Sequence, residues 1–173
     1  MDFLSLAKNR YSCRYFSSKE VEQEKIDKIL EAARLAPTGR NFQCQRILVL
    51  TDKSEVEKLG GCTKYGWNAP LVMIICYDKN ESWKRSYDEY DGGTVDASIV
   101  TTHMMLEVAD LGLGATWIGA FDPAKAKEIY NVPENYEVVA ILPIGYPSEE
   151  AHPSRLHDDR KAIEEIAFYN KFN

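Results

Sequence analysis

Apolar residues recur every three to four positions in some stretches of the chain and run together in others, and this alternation maps its elements. Residues 22–35 (EQEKIDKILEAARL) carry Ile26, Ile29, Leu30 and Ala33 at helical spacing among charges, which predicts a helix with one buried face. Pro37 ends it, because the residue before a proline is pushed away from helical geometry. Residues 2–9 predict a shorter helix with Phe3, Leu4 and Leu6 as its apolar positions, and 53–59 another. RILVLT (46–51) and LVMIICY (71–77) are short β-branched runs that predict strands, the second covered on both faces.

The longest helical pattern spans 94–111, with Val95, Ile99, Thr102, Leu106 and Ala109 along one stripe. Its reverse side (Ala97, Ser98, Thr101, Met105) is hardly a solvent face, so the helix is expected to be covered from both sides, the second cover being another subunit. GLGATWIG (112–119) predicts a turn entering a strand. Asp122-Pro123 fits the cap and first position of a helix over 123–130. YEVVAILPIGYP (136–147) predicts the last core strand, and 158–169 a short terminal segment with Ile163, Ile166 and Phe168 apolar. Helices and strands in mixed order give a layered α/β or α+β fold. With no repeat and no Gly-, Ser- or Pro-rich linker, residues 1–173 form a single domain.

Composition narrows the partners. The chain is 45% hydrophobic and 28% charged, ordinary for a globular protein, and no apolar run reaches the ~20 residues of a membrane helix. MDFLSLAKNR has an acid at position 2 and no long apolar core, so a secretory signal is not expected and the cytoplasm is. A net charge of −6 argues against nucleic acid as the main partner and makes any local basic cluster informative. Cys13, Cys44, Cys62 and Cys76 show no CxxC, and His103, His152 and His157 show no paired-ligand pattern. Free, mostly buried thiols and no metal site are expected.

Four segments carry the candidate chemistry. In NRYSCRYF (9–16), Arg10 and Arg14 flank Ser12 where the first helix should end. Cations suit a helix C-terminus in any case, but guanidinium forks also bind phosphate bidentately. In APTGRNFQ (36–43), Thr38 and Asn41 can bond a ligand or simply cap the turn. GLGATWIG lets the backbone approach a neighbour closely, and it is no GxGxxG phosphate loop, since it leaves a helix and enters a strand. Arg160 and Lys161 form a cationic pair in an acidic tail.

Taken in this order, RxSxR, APTGxNxQ, a buried helix ending in GLGATWIG, and a late Arg-Lys before IEEI resemble the nitroreductase family of FMN-dependent oxidoreductases, from Leu6 to Ile166. The resemblance implies a three-layer α-β-α fold of the α+β class, its mainly antiparallel central sheet flanked by helices, in an intertwined homodimer with two FMN sites at the interface. Carried over, Arg10 and Arg14 hold the FMN phosphate and ring edge with Ser12 assisting, and Arg160 with Lys161 completes the phosphate site. Pro37, Thr38 and Asn41 reach the flavin from the partner subunit, and Trp117, Ile118 and Gly119 lie near its reactive edge. NADH or NADPH would reduce flavin N5, and a small-molecule acceptor such as a nitroaromatic or quinone would then replace it in a ping-pong cycle. No acid, base or nucleophile of the protein is nominated, because the chemistry belongs to the cofactor. Tyr65, Trp67 and Tyr87 are candidate lid aromatics.

Two departures stand out. Cys44-Gln45 replaces the family's frequent Pro-Trp after APTGRNFQ, and little chain between 78 and 93 is available for a substrate-covering excursion. The alternatives are a same-fold enzyme with another reaction, such as reductive dehalogenation or flavin fragmentation, and a non-enzymatic flavin-binding or storage protein.

Overall fold

A computed structural model describes residues 2–65 and 68–172. In chain order its elements are α1 (Phe3–Asn9), α2 (Gln23–Leu35), β1 (Gln45–Leu50), α3 (Lys53–Glu57), β2 (Leu71–Asp78), α4 (Gly93–Asp110), β3 (Gly114–Ala115), α5 (Pro123–Ile129), β4 (Tyr136–Gly145) and α6 (Ile163–Ile166), with 3-10 turns at Gly39–Asn41 and Lys58–Gly61. The strands order β1-β2-β4-β3, every pair antiparallel.

The sheet forms around β2, which is buried along its whole length. Its side chains alternate between two cores. Leu71, Met73, Ile75 and Tyr77 meet α2 and α4, while Val72, Ile74 and Cys76 meet Leu59 and Ala126 of the opposite layer. Helices therefore cover both faces, which is the expected three-layer α+β arrangement. A bulge between Ile75 and Cys76 shifts the register against β4. All four cysteines are buried and free.

One expectation needs correction. The stripe expected to seat the long helix is not the one that does: Ala97, Val100, Thr101, Met104 and Val108 of α4 are buried, whereas Val95 is 47% exposed. With apolar residues around its whole circumference, the helix gave no moment by which to choose a face. In α1, Phe3 and Leu4 are exposed and no residue is fully buried. Similarly, Ile163, Ile166 and Phe168 of the tail stand in solvent within one chain. Among the described residues no helix is long and apolar enough to cross a membrane.

Asp122 caps α5 as its sequence position implies, its carboxylate accepting the N–H groups of Ala124 and Lys125 at 3.0 and 3.1 Å. Asp122→Ala leaves those donors to water and should cost about 1 kcal/mol, or roughly 2–4 °C in Tm for a chain of this size. Thermal denaturation followed by circular dichroism checks this, and an unchanged Tm would contradict the cap's contribution.

Candidate functional site

The end of α4 sets the first half of the site. Gly112 takes φ +72°, and the N–H groups of Gly112 and Leu113 turn back to the carbonyls of Ala109 and Val108 at 3.1 and 2.9 Å. This is the reversed bonding that stops a helix at a left-handed glycine. The chain then enters β3, where Gly114 lies so close to Cys13 that a Cβ would come within 2.6 Å of the Cys13 Cβ. That approach lets the N-terminal segment lie alongside: Ser12 bridges Ala115 in parallel, and the Cys13 N–H donates to the Ala115 carbonyl at 3.0 Å.

Arg10 and Arg14 are consequently not two forks on one helix end. Arg10 caps α1 in an extended conformation, and Arg14 follows on an extended segment that continues to a bridge between Phe16 and Pro147. Four extended residues span about 13 Å, so the two guanidinium groups address two points of an elongated ligand. Arg10 borders a cleft of about 190 Å³ floored by Met105, Val108, Ala109 and Leu113. Arg14 donates to the Ser12 carbonyl at 3.2 Å and lines a neighbouring cavity of about 500 Å³ with Tyr15, Ser148, Glu149 and Glu150.

The tail returns to the same place. The ring Nε2 of His157 lies 3.0 Å from the Lys8 carbonyl and so carries the proton it donates there, while the ring packs edge-on to Tyr11 at 6.4 Å. Arg160 and Lys161 follow closely, both exposed. Among the described residues Arg10, Arg14, Arg160 and Lys161 enter no salt bridge, although the chain has more acids than bases. Trp117, Ile118 and Gly119 continue from β3. Only Gly114 and Ala115 form ladder there, and Ile118 is held by paired bonds with Ile141 at 2.9 and 3.2 Å. The expected strand is thus two residues and an isolated bridge.

Pro37, Thr38 and Asn41 are not brought to this cluster. Their loop is fastened at the other end of α4, where the Gly39 N–H donates to Asp96 Oδ1 at 2.9 Å. Asp96 and Gly112 are sixteen positions apart, helical as far as Asp110, which spans about 24 Å. Arg40, Asn41 and Gln43 are all left-handed, at φ 52°, 59° and 52°. Cys44 is buried with its thiol 3.8 Å from Asp96 Oδ2, which explains its place where a proline would donate nothing. Sequence reasoning missed Asp96, whose only signal was an acid in the first turn of a helix expected to be covered on both sides.

The lid candidates separate. Trp67 lies outside the described residues and Tyr65 is partly exposed. Tyr87 is 95% exposed at the turn of a small hairpin closed by the Lys84–Asp91 and Arg85–Asp88 ion pairs. A larger cavity, about 650 Å³, adjoins the Arg14 cavity at Phe16 and Asn68 and runs between Val56, Leu59 and Pro70, and its charged lining of Glu20, Lys53 and Glu57 is net acidic. The Arg14 cavity likewise sets Glu149 and Glu150 against one arginine, so charge favours the Arg10 cleft, which no acid lines, as the anion site.

A layered α+β domain with an arginine-bearing edge beside a helix terminus is the class these features define. The model of the nitroreductase family matches residues 7–64 and 61–146, and the chain belongs to that family. A crystal structure of a nitroreductase family protein from Clostridium difficile 630 is 40% identical, covering 99% of this chain and 100% of its own, at a TM-score of 0.93. An FMN-dependent nitroreductase from Clostridium difficile R20291 is 30% identical, covering 98% and 100%, at a TM-score of 0.81. A relative from Archaeoglobus fulgidus, provisionally named NADH dehydrogenase/NAD(P)H nitroreductase, is 30% identical over 91% of this chain and 97% of its own.

Burial, reinforced at Cys44 by the Asp96 carboxylate, pushes the Cys44 and Cys76 thiols from the ordinary value near 9 up to about 11. Above pH 9 the unfolded chain then holds fewer protons than the folded one, so stability is full below about pH 9 and falls as pH rises through 11. Urea denaturation at pH 8 and 10.5 should show this loss, and a Cys44→Ala/Cys76→Ala variant should lose less. An equal loss in both proteins would contradict it.

Proposed function

We propose that the protein is an FMN-dependent oxidoreductase that uses NADH or NADPH to reduce a small acceptor of the nitroaromatic or quinone kind, acting as a homodimer. The observation that carries this reading is the extended Arg10–Arg14 segment, laid against β3 with guanidinium groups at both ends that no carboxylate neutralises among the described residues. FMN is an elongated molecule with a dianionic end and a flat apolar ring, and the residues present fit it: cations at the edge, an apolar floor from α4 and β3, and backbone approached closely at Gly114.

Arg10, Ser12, Arg14, Arg160 and Lys161 would hold the phosphate and ring edge, charge-assisted hydrogen bonds supplying most of the affinity. The backbone at Trp117, Ile118 and Gly119 would border the ring. Bound FMN supplies the two-electron chemistry between nicotinamide and acceptor. The chain's own part is to orient it and to exclude water from one face. A second copy supports both remaining needs. The cleft of about 190 Å³ falls below the ~300 Å³ at which small-molecule pockets begin, so one chain supplies only part of the wall. Pro37, Thr38 and Asn41, remote in one chain, would complete that wall from the partner. The exposed apolar tail suits the same interface.

The test is an absorption spectrum of purified protein followed by anaerobic NADH and then NADPH. A yellow protein bleached by either donor is expected. A protein that is colourless and refuses added FMN would overturn the proposal, and yellow protein bleached by neither donor would leave a flavin-binding module. Arg14→Ala and Arg160→Ala should each weaken FMN binding tenfold or more, as loss of a charge-assisted contact of about 1.5–3 kcal/mol requires. Wild-type affinity in both would contradict the phosphate placement.

A further inference from the structure

Asp96 is a carboxylate only 5% exposed, in the first turn of α4, and no cation pairs with it among the described residues. A buried carboxylate is costly unless hydrogen bonds replace its water. Here the Gly39 N–H donates to Oδ1 at 2.9 Å and the Cys44 thiol reaches Oδ2 at 3.8 Å, so both oxygens face the two ends of one loop. The positive end of the helix adds to their stabilisation.

That loop needs holding. Arg40, Asn41 and Gln43 are left-handed, a conformation that persists in side-chain-bearing residues only when the surroundings over-determine it. Its internal bonds fix its shape: the Gln43 N–H donates to Thr38 Oγ1 at 3.0 Å, and the Asn41 N–H to the Thr38 carbonyl at 2.9 Å. They do not fix where that shape points. The bonds leaving the loop run from Gly39 to Asp96 and from Arg46 Nη1 to the Gln43 carbonyl, the latter long at 3.4 Å. Gly39 also presses on Trp83, where a Cβ would come within 3.0 Å of the Trp83 Cβ.

We infer that Asp96 is a positioning residue: by accepting the Gly39 N–H it fixes the direction in which Thr38 and Asn41 are presented to the cofactor. This rests on the FMN reading above. The carboxylate would act through the backbone of the loop it anchors. What matters is its acceptor oxygen, and an amide of the same shape supplies one.

The test compares holoproteins carrying Asp96→Ala and Asp96→Asn by the rate of FMN release on dilution, read from flavin fluorescence, and by hydrogen exchange at the Gly39 amide. Asp96→Ala should release FMN about tenfold faster or more and expose the Gly39 amide. Asp96→Asn should stay within about threefold of wild type and keep that amide protected. Unchanged release with Asp96→Ala, or an Asn variant as impaired as the Ala variant, would overturn the inference. If Asp96→Ala does not fold, Asp96→Ser, too short to reach Gly39, replaces it with the same criteria. Should wild-type protein bind no FMN, the cofactor reading fails by itself, and protection of the Gly39 amide, lost in Asp96→Ala, still decides whether Asp96 directs the loop.

Discussion

The rigidity of α4 is the constraint on which the rest of the arrangement depends. The helix is buried from Gly93 to Val108 along one side, and its ends are pinned by different devices. Asp96 fastens the Pro37–Gln43 loop at one end, and the Gly112 reversal hands the chain to β3 and the Arg10–Arg14 segment at the other. A packed helix does not shorten, so the two anchor points, Asp96 and Gly112, stay about 24 Å apart along its axis. Under the proposed FMN reading, one ligand would be met by two copies of α4 from opposite directions.

Charge follows the same division. The protein is acidic overall, yet among the described residues Arg10, Arg14, Arg160 and Lys161 have no carboxylate partner, while Lys28, Arg34, Lys58 and Arg85 are neutralised by acids three or four residues away. Those exposed helical and turn pairs contribute little stability. His157, docked on the Lys8 carbonyl, brings the tail's Arg160 and Lys161 toward the region of Arg10.

Much of the fold was legible because its signals are local. LVMIICY has no charge in seven residues and became the central strand, and Asp122-Pro123 marked a helix start that the hydrogen bonds confirm. The identity of the buried face of α4 was not legible, since a helix apolar on all sides carries no directional pattern. Nor was the division of Arg10 from Arg14, which depends on α1 stopping at Asn9 and on Gly114 admitting the next residues as a strand partner. Trp117 to Gly119 were placed near β3 by the order of motifs, but the shortness of that strand reflects pairing with Gly145 and Ile144 alone, a tertiary fact. Asp96 was missed because its value lies in a contact with Gly39, fifty-seven residues away.

The central claim is that each site is assembled from two copies, and subunit mixing tests it most directly. An Arg10→Ala/Arg14→Ala protein and a Thr38→Ala/Asn41→Ala protein should each bind FMN poorly. Unfolded, mixed in equal amounts and refolded together, they should regain about a quarter of the wild-type sites, because random pairing makes half the dimers mixed and each mixed dimer has one intact site. A mixture that binds no more FMN than its two components would show that both groups act within one chain, and would contradict the account.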